Sequence, residues 1–208
     1  SESFAPETSL TAPIAFMQDL GSGRVLFERE ANRRFMPASL TKIMTAFVAF
    51  EMLDEGTLDP SRRFVFGDAA FDQWQRVGST MFIGRGQPVS VDELLHGIMT
   101  VSANDGSILL AEGASGSVPA FVGRMNATAE RLGMRDSRFG SPNGWPDQGA
   151  TYTTARDLAV LTRAMLLRFP EQYRRYVGHR EMSFNGIRQE NHVPLLGRVA
   201  RAEGVKTG

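Results

Sequence analysis

Residues 43–53 carry apolar side chains on nearly every helical face, Ile43, Met44, Phe47, Val48, Phe50 and Met52 among them. A helix that is apolar all round has to be buried, so this one fixes the centre of the domain that forms around it. Directly before it stand Pro37, Ala38, Ser39, Leu40, Thr41 and Lys42. A serine and a lysine three residues apart on a helix share one face and lie within reach of each other. Pro37 suits a helix start, which places Ser39 in the first turn, where the helix dipole favours negative charge on a hydroxyl oxygen. The pairing suits nucleophilic chemistry with an amine as base.

The lysine count adds weight to Lys42. Of 23 basic residues only Lys42 and Lys206 are lysines. Arginine keeps its proton at accessible pH, whereas a buried lysine can release it. Two lysines in an arginine-rich chain therefore hint at positions that need a titratable or closely fitted ammonium, with codon bias as the plainer alternative. Length and charge bound the rest. A chain of 208 residues suits one domain with a full core. Basic and acidic residues balance at 23 each, so nothing points to nucleic acid or an anionic membrane surface. With no cysteine there is no disulfide framework and no thiolate chemistry. No apolar run is long enough to span a bilayer. The sequence opens at Ser1 without methionine, which suits a processed, exported protein.

Along the chain, residues 14–19 and 24–28 form a hairpin pattern around 20–23, and the central helix follows over 39–53 until Asp54, Glu55 and Gly56 stop it. Residues 64–66 read as a short strand and 78–86 as a loop. Ser90 and Glu93 form a capping box for a helix that ends near Val101. A third helix covers 105–112 and a fourth 121–132, closed by Gly133. Asn143-Gly144 and Pro146-Asp147 mark an irregular connection. Thr154 with Asp157 forms a second capping box for a helix that Pro170 ends. A small hairpin turns at Asn185-Gly186, and 204–208 reads as a strand. The expected fold is α+β, with helices packed on an antiparallel sheet.

Three short motifs stand in order. Ser39 and Lys42 form the one S-x-x-K, and Lys206, Thr207 and Gly208 the one K-T-G. S-x-N occurs three times, at Ser102/Asn104, Ser141/Asn143 and Ser183/Asn185. Ser141 precedes a proline turn and Asn185-Gly186 is hairpin chemistry, so context selects Ser102, at a junction of two apolar helices. Taken alone, Ser102 and Asn104 would read as helix caps. Together, with gaps of 63 and 104 residues between the motifs, they resemble the active-serine penicillin-recognising signature. Residues 37–45, 78–82, 153–161 and 185–189 are similar to the low-molecular-mass D-alanyl-D-alanine carboxypeptidases in particular, and the resemblance runs across the whole chain.

The resemblance implies one catalytic domain over residues 1–208 with the β-lactamase/transpeptidase-like fold, including a mainly helical subdomain. It also implies that the remaining sheet strands, and in relatives a C-terminal β domain and an amphipathic membrane anchor, lie beyond Gly208. It assigns Ser39 as nucleophile, Lys42 as base with its pKa lowered by burial and by Lys206, Ser102 as proton relay, and Asn104 as an orienting amide. Lys206 and Thr207 would hold a substrate carboxylate, and Gly208 would let an extended peptide lie along the strand. The implied partners are a peptidoglycan stem peptide ending in D-Ala-D-Ala and β-lactam antibiotics, at the periplasmic or cell-surface side of the membrane. No cofactor or metal is expected. The rival readings are a DD-endopeptidase, a class A-like β-lactamase, and a non-catalytic penicillin-binding sensor or scaffold. None of His96, His179 and His192 sits in a G-x-S-x-G or H-E-x-x-H setting, and His96 on an apolar helix reads as a core or boundary residue.

Overall fold

The computed structural model describes residues 11–192. Its centre is helix α1, Thr41–Asp54, in which residues 41–52 are all buried. Met44, Ala46, Phe47, Ala49 and Phe50 are closed off from water, as a helix apolar on every face requires. The helix begins slightly later than its sequence pattern indicates. Ala38–Leu40 form a single 3-10 turn, and the α-helix starts at Thr41. Ser39 therefore sits in the tighter turn, where residues three apart come nearly into line.

Among the described residues six further helices follow. They are α2 (Asp68–Trp74), α3 (Val91–Val101), α4 (Asn104–Ser115), α5 (Val118–Leu132), α6 (Ala155–Arg168) and α7 (Pro170–Tyr176). α1 packs against α3, α4, α5 and α6, which makes it the hub of the helical layer. The Ser90–Glu93 capping box forms as expected, each partner satisfying the other's backbone N–H. At the start of α6 only half of the expected box exists. Thr154 accepts from Asp157 N, but the Asp157 carboxylate turns away to accept from Asp136 N and the Ser137 hydroxyl, tying the preceding connection down. Pro170 ends α6 and at the same time opens α7, because a proline at the first helical position loses no hydrogen bond. α2 has no apolar periodicity to announce it. Its Asp68 and Asp72 both pair with Arg85.

The strands are antiparallel and short. β1 (Ala15–Gln18) pairs with β2 (Val25–Arg29), β3 (Arg63–Phe64) with β4 (Val89–Ser90), and β5 (Glu181–Phe184) with β6 (Ile187–Glu190). The last hairpin turns through Asn185 and Gly186, both with positive φ, in the two-residue turn their sequence predicts. Among the described residues the three pairs remain separate sheets. β1 lies against α6 and β5 against α3. The strand expected over 204–208 lies outside the described residues.

Candidate active site

The first two motifs meet at the N-terminal end of α1. Lys42 has no solvent exposure, and its Nζ lies 3.4 Å from Ser39 Oγ. It donates to Asn104 Oδ1 at 2.7 Å and to the Asn143 carbonyl at 2.9 Å. A neutral amine has two N–H groups and one lone pair. With the two shorter contacts taking N–H groups, the remaining position faces the serine hydroxyl, the arrangement a base needs. Ser102 Oγ donates to Ser39 Oγ at 3.1 Å, so the Ser39 hydroxyl has the amine and a second hydroxyl both within reach.

Ser102 earns that position through its backbone. It follows the last residue of α3 and adopts a left-handed conformation, φ 58° and ψ 42°. This strained turn at the α3–α4 junction presents the side chain to Ser39, and such strain persists only where the surroundings impose it. Asn104 is the first residue of α4 but does not cap it, since no side chain caps that helix. Its amide spans the site instead, with Oδ1 on Lys42 and Nδ2 donating to the Val77 carbonyl at 3.0 Å. Ser102 does hold the C-terminal cap position of α3, through its backbone N–H to the Gly97 carbonyl, but neither side chain is spent on a cap, and the S-x-N copy chosen from context is the one whose side chains reach Lys42 and Ser39.

A further side of the site comes from a segment whose role the sequence concealed. The Asn143 carbonyl that contacts Lys42 belongs to the Ser141/Asn143 copy of S-x-N. Thr45 Oγ1 donates to the Pro142 carbonyl at 2.6 Å, and Lys42 to Asn143, so two side chains of α1 tie this connection to the helix. Gly144 has φ 71°, and a Cβ there would fall 1.8 Å from the Ala38 carbonyl oxygen. Glycine is required for that approach. No side-chain pattern could have shown it, because the contacts use backbone carbonyls and an absent Cβ. Asn143-Gly144 as a turn dipeptide was the one available signal.

A model of the D-alanyl-D-alanine carboxypeptidase family matches residues 2–208. The chain belongs to that family. It is 34% identical over 200 residues to the D-alanyl-D-alanine carboxypeptidase DacA of Haemophilus influenzae, covering 96% of this chain and 50% of that one. To the Escherichia coli DacA it is 37% identical over 194 residues, covering 91% and 48%. The chain thus spans about half the length of the curated relatives it matches. Among solved structures, penicillin binding protein 5 from Haemophilus influenzae superposes with a TM-score of 0.86 at 34% identity, covering 90% of this chain and 54% of that one. A DD-transpeptidase of Streptomyces superposes with a TM-score of 0.83 at 28% identity, covering 93% and 78%. The fold of this carboxypeptidase-family chain is therefore transpeptidase-like, as the motif order implied.

Of the predicted site residues, Ser39, Lys42, Ser102 and Asn104 converge. Lys206, Thr207 and Gly208 lie outside the described residues. His96 is a boundary residue, edge-to-face with Tyr176 and His179 and 3.9 Å from Asp92. Burial lowers its pKa, only partly countered by Asp92.

Proposed function

We propose that this chain forms the acyl-transfer part of a serine-type D-Ala-D-Ala carboxypeptidase. Lys42 Nζ takes the Ser39 proton as Oγ bonds to the carbonyl carbon of the penultimate D-alanine. The C–N bond then breaks, and the departing amine of the terminal D-alanine receives a proton through the Ser102 hydroxyl. The ester left on Ser39 is cleaved by water along the reverse path. Asn104 orients Lys42 and the substrate amide. Lys206 and Thr207 hold the terminal carboxylate, and Gly208 leaves room for the extended peptide. A β-lactam enters as a strained amide whose leaving amine stays tethered, so the acyl-enzyme persists. The observation that carries this reading is the Ser39 hydroxyl within 3.4 Å of the Lys42 amine and 3.1 Å of the Ser102 hydroxyl.

The substrate places the protein outside the cytoplasm, in the periplasm or at the cell surface, with attachment through a C-terminal anchor as part of the proposal. Among the described residues no helix is long and apolar enough to cross a membrane. The deciding experiment incubates the full-length protein with a muramyl pentapeptide and follows D-alanine release, while mass spectrometry locates the penicillin adduct. Release with an adduct on Ser39 supports the proposal. Cleavage only of cross-linked dimers would make it an endopeptidase, rapid penicillin turnover a β-lactamase, and an adduct without release a sensor.

A further inference from the structure

One residue beyond Asn104, α4 carries a buried carboxylate that the acyl transfer does not use. Asp105 is 3% exposed. Its Oδ1 accepts from Met81 N at 3.0 Å and Gly106 N at 2.8 Å, and its Oδ2 from Ile83 N at 3.2 Å. Burial raises its pKa, and the backbone N–H bonds pull it back toward the ionised form. The loop it grips also meets Asn104. Asn104 N donates to the Ser79 carbonyl at 2.8 Å, and Asn104 Nδ2 to the Val77 carbonyl at 3.0 Å. Gly78 has φ 61°, and a Cβ there would sit 2.7 Å from Asn104 Nδ2. Residues 77–83 are thus clamped across the first turn of α4.

The clamp has a chemical consequence. A side-chain amide has an acceptor end and a donor end, and only the acceptor suits Lys42. Because the Val77 carbonyl holds Nδ2, Oδ1 is the end that meets the amine, at 2.7 Å. If the loop retreats, the amide is free to turn and set donor against donor. We propose that Asp105 is a positioning residue: by anchoring Met81 and Ile83 it keeps the Val77 carbonyl on Asn104, and so fixes the acceptor that orients Lys42. This rests on the reading of Lys42 as the base.

Asp105→Asn tests it. The new amide sets N–H against N–H at one or more of Met81, Ile83 and Gly106, so the loop loses an anchor. Penicillin acylation of Ser39 should slow about tenfold, while Asn104→Ala/Asp105→Asn should be no slower than Asn104→Ala. Full additivity in that double variant, or wild-type acylation in Asp105→Asn, overturns the proposal. A second readout does not depend on turnover. Lysine labelling of the full-length protein gives ε-methylene signals, among which that of Lys42 is assigned by its absence in Lys42→Arg. The Lys42 signal should move in Asp105→Asn, and an unmoved signal overturns the link even if Ser39 proves not to react with penicillin. Should Asp105→Asn not fold, Gly78→Ala acts from the loop side and should give the same slowing and the same moved signal, with wild-type behaviour overturning the proposal.

Discussion

The two ends of α1 each bury an ionisable residue and hold it through different partners. Toward the C-terminal end Glu51, 7% exposed, is met by two guanidinium groups, Arg131 at 2.7 Å and Arg168 at 3.1 Å. Toward the N-terminal end Lys42 meets neutral oxygens, an amide at 2.7 Å, a peptide carbonyl at 2.9 Å and a hydroxyl at 3.4 Å. Opposite charges hold a group in an ion pair, whereas neutral oxygens orient it through hydrogen bonds. One helix therefore fastens α5 and α6 at one end and holds the proposed base at the other.

The strongest attack on this comparison is Lys42→Arg. It keeps a positive charge but removes the proposed base, so penicillin acylation of Ser39 should fall about 100- to 10,000-fold. Near-normal acylation would show that the two ends do not differ in this way. Next in size is Gly144→Ala, which drives a Cβ toward the Ala38 carbonyl at a positive φ. It should cost about 2–4 kcal/mol in urea denaturation and slow acylation as well, because the same loop holds Lys42. Glu51→Gln should cost about 1–2 kcal/mol, since Arg131 and Arg168 are half-exposed and can rehydrate. Acylation should stay at the wild-type rate, and a large loss there would mean that the ends are coupled.

The smallest effect concerns pH. Tyr176 stacks on Phe50 of α1 and meets His96 edge-to-face. The pKa of His96 is lowered on folding, so below the ordinary histidine value of 6.5 the unfolded chain takes up a proton first. Stability is therefore full above that value and declines as pH falls toward the folded pKa. Replacing His96 with Gln should flatten this decline in thermal melts between pH 7 and pH 5, without changing penicillin acylation at pH 7.

Helix positions and the choice of Ser102 were legible because they rest on residue type: an apolar run, a capping pair, a serine between two apolar helices. The Asn185-Gly186 turn was legible for the same reason, through glycine's and asparagine's tolerance of positive φ. Less legible were α2 and α7. α2 lacks apolar periodicity, and α7 begins at a proline that equally well ends its predecessor. Asp157 shows the limit of a capping rule. Its carboxylate had better partners in Asp136 N and Ser137, brought near by the fold rather than by spacing.

By itself the sequence determined the buried helix, the serine–lysine pair at its head, the order of motifs and hence the family. Those are statements about which side chains exist and how far apart they stand along the chain. Only the tertiary structure decided that Ser102 turns to Ser39 through a left-handed backbone, that Asn104 shows its oxygen to Lys42, and that the Asn143 carbonyl and the bare Cα of Gly144 complete this side of the site. These depend on peptide carbonyls, dihedral angles and the room left by an absent Cβ. Every residue carries the same peptide group, so its placement cannot be read from residue type.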